Sequence, residues 1–215
     1  PSKNKSSKTD YIAQSVSVND RDYGKILIGA NPHTAELIGK EILKSNLWNP
    51  YPSYVLCSKK PEHLDYLGDI YLKAQNKYII IEIKNVICAS YNPNINKIDR
   101  RYVYYDNKNP FRRSGIYPNG ERSQKYRGKS VVSERSVRQI DSMIKDKEKY
   151  QFAIVFLVNR GDCTAFKPNW PRDSIYSRKL VKAVKNGIDV YALGVDWTNT
   201  ACNFNGELDI DLKPW

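Results

Sequence analysis

The chain has 215 residues, enough to bury the core of one domain of ordinary size. Its 35 Lys and Arg against 23 Asp and Glu leave a net charge of +12, which favours polyanions, nucleic acid first and acidic membrane surfaces second. No apolar run approaches the ~18 residues of a transmembrane helix and no secretory h-region stands near the start, so a soluble, intracellular protein is expected, in the cytoplasm or wherever its polyanion is.

Residues 1–10 are rich in Lys and Ser without an apolar period and read as a basic tail. Residues 11–18 and 25–30 alternate or run apolar around Asn19 to Asp22, which predicts a leading hairpin. The tail and the first strand, 1–24, are set apart from a main domain over 25–215. A helix follows over 34–44, with Thr34 as N-cap and Leu37, Ile38, Ile42 and Leu43 as its buried stripe. Glu41 borders that stripe, where a carboxylate needs a metal, or a cation such as Lys40 or Lys44. Pro50 and Pro52 then break the chain, and 54–57 read as a short strand.

The stretch 63–85 organises the rest. Two runs rich in β-branched and aromatic residues, 69–73 and 78–84, flank the polar pair Gln75-Asn76, as in a β-hairpin. With Gln75 and Asn76 as the turn, antiparallel pairing puts Asp69 opposite Glu82, with Cβ atoms roughly 5 Å apart. Alternation puts Lys84 on the face of Glu82, and Ile81 and Ile83 on the other. Two hard oxygen ligands so placed can hold one Mg²⁺ or Mn²⁺ that keeps several waters. Lys84 can orient an attacking water and offset phosphate charge. The other reading is an exposed strand face with ordinary charges. Asp69, twelve intervening residues, then Glu82-Ile83-Lys84 resembles the PD-(D/E)XK nuclease signature, with Gly68-Asp69 where Pro-Asp often stands.

Beyond Cys88 the composition shifts. Between Tyr91 and Lys129 ten basic residues, among them Arg100, Arg101, Arg112, Arg113, Arg122, Lys125 and Arg127, face three acids. Seven aromatic residues are interleaved, so residues 89–130 read as a long basic insertion that grips phosphates and stacks on unpaired bases. The alternative is a solvated loop whose tyrosines pack on the domain. Ser133 caps a helix to about Lys147, with Val137, Ile140, Met143 and Ile144 inward and Arg135 and Gln139 as i, i+4 neighbours. Residues 152–158 are a buried strand, Asp173 opens a helix that Gly187 closes, and 188–195 are a further strand. Strand, helix, strand implies a right-handed crossover and a mixed sheet. Residues 201–215 read as irregular, pinned by Trp215. The four cysteines form no Cys-x-x-Cys pair and His33 and His63 are the only histidines, which leaves zinc and His-based nucleophile chemistry little to work with.

Taken in order, residues 28–41, the hairpin with Gly68-Asp69 and Glu82 to Val86, Val132 to Arg135, Phe156 to Asp162, Phe166 to Pro168 and Lys182 to Val190 resemble successive signatures of the sugar fermentation stimulation protein family. The resemblance covers roughly 25–193 apart from the insertion. It implies an α/β fold with a restriction-endonuclease-like mixed sheet flanked by helices, DNA binding, duplex or single-stranded, and Mg²⁺-dependent nuclease chemistry. It points to Glu41, Asp69, Glu82 and Lys84 as the active-site set, Glu41 sharing the metal, with Gln139 and Arg135 on the following helix in support. The family usually has His where Gln139 stands, and carries an N-terminal OB-like domain for which this chain has too few residues. The insertion stands as a substitute grip on DNA. A metal-dependent deoxyribonuclease is the resulting expectation. A non-catalytic, regulatory DNA-binding protein of the same fold and an RNA-binding protein are its rivals.

Overall fold

The computed structural model describes residues 11–20, 22–64, 67–75, 77–94 and 104–215. Among these no helix is long and apolar enough to cross a membrane. The leading hairpin forms as expected: β1 (Ser15–Asp20) pairs antiparallel with β2 (Gly24–Gly29). The first helix, α1 (Pro32–Lys44), starts two residues earlier than expected. Asn31 rather than Thr34 is its N-cap, accepting the His33 N–H, and Pro32 supplies a first-turn φ already set for a helix.

A six-stranded mixed sheet follows: β3 (Val55–Cys57), β4 (Ile70–Ala74), β5 (Lys77–Val86), β11 (Gln151–Val158), β13 (Asp189–Trp197) and β14 (Cys202–Glu207), in the spatial order β14-β13-β11-β5-β4-β3. Strands β5, β11 and β13 run parallel, while β3, β4 and β14 join antiparallel. Parallel neighbours need long connections, and two helices provide them: α2 (Glu134–Asp146) before β11 and α3 (Ser174–Lys185) before β13. Ser133 and Asp173 cap them as expected.

Alternation along β5 divides the core. Ile79, Ile81 and Ile83 pack with Ala35 and Ile42 of α1 on one face. Ile80 and Val86 pack with Val137, Ile140 and Met143 of α2 and Leu180 and Ala183 of α3 on the other.

The stretch expected as a basic loop is largely structural. It supplies β6 (Cys88–Tyr91), β7 (Tyr104–Tyr105), β8 (Arg113–Tyr117), β9 (Gln124–Tyr126) and β10 (Lys129–Val131). With β12 (Ala165–Pro168) and β15 (Asp209–Ile210), three of these build a second sheet, β15-β12-β8-β6-β7. The two sheets touch closely at Gly115, where an added Cβ would lie 2.9 Å from Val158 and 3.0 Å from Val86. Residues 201–215 are likewise not irregular, since β14 and β15 fall there, and Trp215 does pin the end by donating to the Pro168 carbonyl at 3.2 Å.

Arg113 corrects an expectation. It is fully buried, not offered to nucleic acid. Its guanidinium donates to Asp162 at 2.6 Å and to Asp20 at 2.7 Å and lies between the rings of Tyr23 and Tyr91. Arg112 pairs with Asp22 at 3.2 Å and also lies over the ring of Tyr23. Tyr91 and Tyr126 are buried too, so these two do not stack on bases. Arg100 and Arg101, the tail, and Asn76 of the hairpin turn lie outside the described residues.

Candidate active site

The hairpin has the register expected of it. Ala74 pairs with Lys77 and Ile70 with Ile81, and Gln75 takes a φ of +50° at the turn. Asp69, one residue before β4, therefore stands opposite Glu82. Its N–H donates to the Ile81 carbonyl at 3.0 Å, and its Oδ2 accepts the Ile83 N–H at 2.7 Å, so the side chain itself closes the ladder. Gly68 permits the approach: a Cβ there would lie 2.4 Å from Ile80.

Glu82 and Lys84 are buried on the α2 side of the sheet. The Lys84 ammonium donates to Glu82 Oε1 and to Gln139 Oε1, each at 2.7 Å, and Gln139 Nε2 donates to the same Glu82 oxygen at 2.7 Å. Three side chains from β5 and α2 thus close a ring. Glu82 Oε2 is left buried with no hydrogen-bond partner. A buried carboxylate oxygen in that state is costly unless a cation or donor meets it. The hydroxyl of Tyr176 on α3, also buried without a partner, is near enough to feel the charge of Glu82.

Burial, and next the charge of Glu82, push the Asp69 carboxyl up to about 7, against the hydrogen bond from Ile83. Glu36 of α1 adds to the push. Glu41 does not join them. Its side chain is exposed, lies 3.7 Å from Lys44 and accepts from Ser45 Oγ, as in the rim salt-bridge alternative. Glu41 lies five positions after Glu36, about 140° around a helix, so only one of them can face the hairpin. Among the described residues no three His, Cys, Asp or Glu side chains form a metal-ligand group. A pair of carboxylates fits a hydrated Mg²⁺ or Mn²⁺, which retains waters and needs no closed protein cage. The unpartnered Glu82 oxygen and the mutual repulsion of the pair are what such a cation would relieve.

In front of Gln139 a hollow of about 550 Å³ is lined by Leu67, Gln124, Arg135, Arg138 and Glu134 among others. Arg135 therefore shares a hollow with Gln139, the residue that bonds Lys84 and Glu82. Arg138, which the sequence did not single out, joins it and pairs with Glu134 at 2.7 Å. Arg122, Lys125 and Arg127 are exposed on or beside the β9–β10 hairpin.

The fold and site define a mixed α/β protein with a buried Glu–Lys–Gln ring facing an aspartate across a hairpin. The family model that matches is the sugar fermentation stimulation protein RE domain, over residues 130–201. That match holds α2 with Arg135 and Gln139, and the Asp69–Glu82 hairpin lies outside it. The sugar fermentation stimulation protein homolog of Natranaerobius thermophilus is 34% identical over 67 residues, 31% of this chain and 28% of that protein. Those of Pyrobaculum arsenaticum (30% over 81 residues, 37% and 35%) and Sulfolobus acidocaldarius (37% over 59 residues, 27% and 26%) are similar. The chain spans about a third or less of the length of the curated relatives it matches. A solved structure of Pyrococcus furiosus SfsA in complex with Ca²⁺ superposes with a TM-score of 0.67 at 17% identity, covering 97% of this chain and 75% of that one. That likeness carries the fold. Together the comparisons support the sugar fermentation stimulation protein family.

Proposed function

We propose that the chain is a metal-dependent nuclease that hydrolyses DNA phosphodiester bonds, on a restriction-endonuclease-like fold of the PD-(D/E)XK type. One observation carries the reading: the unpartnered Glu82 Oε2 lies buried across the hairpin from an aspartate whose carboxyl is pushed up to about 7. A carboxylate pair in which burial, and then the partner's charge, keeps one proton near neutrality forms a cation site. The Ca²⁺ bound to the Pyrococcus protein of the same fold is in keeping with it. Asp69 and Glu82 would hold Mg²⁺ or Mn²⁺, which when bound polarises a phosphoryl oxygen and acidifies water. Lys84, kept in place by Glu82 and Gln139, orients the attacking water and offsets charge that builds on phosphorus. Gln139 positions both partners and touches no reacting atom. Arg135 and Arg138 hold the phosphates that flank the scissile one. Water attacks phosphorus in line with the departing oxygen.

A non-catalytic DNA-binding protein of the same fold is the second reading, favoured by the lack of a third acidic ligand among the described residues. The test is cleavage of supercoiled plasmid and labelled single strands with Mg²⁺, Mn²⁺ or EDTA, using Asp69→Asn and Lys84→Met beside the wild type. Metal-dependent cutting that both substitutions abolish, with binding retained, is expected. Tight binding without cutting establishes the second reading, and cutting that survives both substitutions removes the site assignment.

A further inference from the structure

Against the β9–β10 hairpin lies a second hollow, of about 320 Å³, that the proposed chemistry does not use. Tyr126, Arg127, Lys129, Arg178, Lys179 and Lys182 line it, and none of the residues lining it is acidic. Helix α3 carries Arg178, Lys179, Lys182 and Lys185 and not one acid. Arg178 and Lys182 are exposed i, i+4 neighbours, a like-charge pair that disfavours the helix unless an anion lies over it.

The hairpin that forms the other wall is rigidly held. Asp141 of α2 accepts hydrogen bonds from the Tyr126 hydroxyl and the Lys179 ammonium, which ties β9, α2 and α3 together. Tyr126 pairs with Lys129, so Arg127 and Gly128 are the two turn residues, with φ of +47° and +79°. That turn favours Asn-Gly. An arginine in the left-handed region is strained, and strain kept in place is a pointer to function. The conformation sets Arg127 at the exposed tip, on the rim of the hollow.

The two hollows share this hairpin. Gln124 lines the one before Gln139, and Tyr126, two residues and about 7 Å along the strand, lines the other.

We propose that the α3 face and the tip of the β9–β10 hairpin form a second phosphate-binding site, which takes the DNA backbone as it leaves the Asp69–Glu82 centre. The proposal rests on the nuclease reading for its substrate. Arg127, Arg178 and Lys182 contact phosphates, and Lys179, neutralised by Asp141, shapes the wall. Most of the grip on DNA therefore lies here and at Arg135 and Arg138, not on the stretch around Arg112 and Arg113.

The test is binding, not cleavage. Affinity for a fluorescent 20-base-pair duplex is measured in Ca²⁺ across salt concentrations, for the wild type and for Arg127→Gln/Arg178→Gln/Lys182→Gln, all exposed positions whose replacement leaves the core intact. Three lost phosphate contacts should lower the slope of log K against log salt by about 2.7 for duplex DNA. Equal affinity and slope in variant and wild type overturn the second site and leave the nuclease reading standing. If the wild type binds no DNA, both fall. Binding to phosphatidylserine vesicles in place of DNA, lost in the variant, makes the patch a membrane surface and likewise overturns the proposal.

Discussion

Glu82 treats its two oxygens unequally. Oε1 receives both Lys84 and Gln139, and Oε2 receives nothing. Burial, and next the charge of Glu82, raise the Asp69 carboxyl, and the sign of the consequence is definite. Asp69 in the folded chain holds its proton up to about 7, whereas its ordinary value is 3.8. The folded state thus binds more protons than the unfolded one between those values, and stability falls as pH rises through that window. Asp69→Asn should therefore stabilise the metal-free protein at pH 8, by up to about 4 kcal/mol, and flatten its dependence between pH 4 and 7. Urea denaturation at pH 5 and pH 8 measures both. In the same experiment Glu36→Gln should give part of the effect and Glu41→Gln none, because only Glu36 acts on Asp69. Mg²⁺ or Mn²⁺ should stabilise the wild type and not Asp69→Asn.

At the scale of elements, the hairpin depends on a residue with no side chain. Gly68 donates its N–H to the Tyr71 hydroxyl at 3.0 Å and lies against Ile80. Gly68→Ala forces Ile80 aside or displaces Asp69. It should cost about 1–3 kcal/mol and weaken divalent-ion binding, as calorimetric titration with Mn²⁺ would show. The hairpin register was legible in the sequence because period-2 alternation and a polar two-residue turn leave one pairing that buries the isoleucines. Gln139 was legible as the i, i+4 neighbour of Arg135, and its supporting role only through the family resemblance. Glu36 was obscured because Glu41 sits beside an apolar stripe, and which acid faces a partner strand depends on how the helix is rotated. The second sheet was hidden for another reason. Its strands β7 and β15 are two residues long, and β8 buries Arg113 and Ser114 beside Gly115, so these carry little apolar signal.

Across the whole molecule, buried ion pairs tie the second sheet together and join it to the leading hairpin and to the turn after β11. Lys167 lies between Asp106 at 2.5 Å and Asp211 at 3.0 Å. Arg113 joins Asp20 and Asp162, and Arg160 donates to Asp162 as well. Burial alone would raise the Asp162 carboxyl, but hydrogen bonds from Arg160 and Arg113 hold it below the usual carboxylate range. Sequence composition reads a cation in a basic stretch as exposed, because most are. That inference fails at Arg113, whose partners come from positions about 50 and 90 residues away. Removing one partner leaves charges buried and unpaired, so Arg113→Ala should cost about 3–5 kcal/mol in thermal or urea unfolding. Arg122→Ala, at an exposed position, should be nearly neutral in the same assay.

The Asp20 contact has a kinetic side. Every β1 residue from Ser15 to Asn19 is exposed, and an isolated two-stranded ribbon of this kind ordinarily frays within the native state. Here fraying would strip Asp20 from a guanidinium that has no access to water, so the ribbon opens only when the second sheet opens with it. Its cross-strand amides should then exchange with deuterium alongside those of β8, as one cooperative unit, despite lying at the surface.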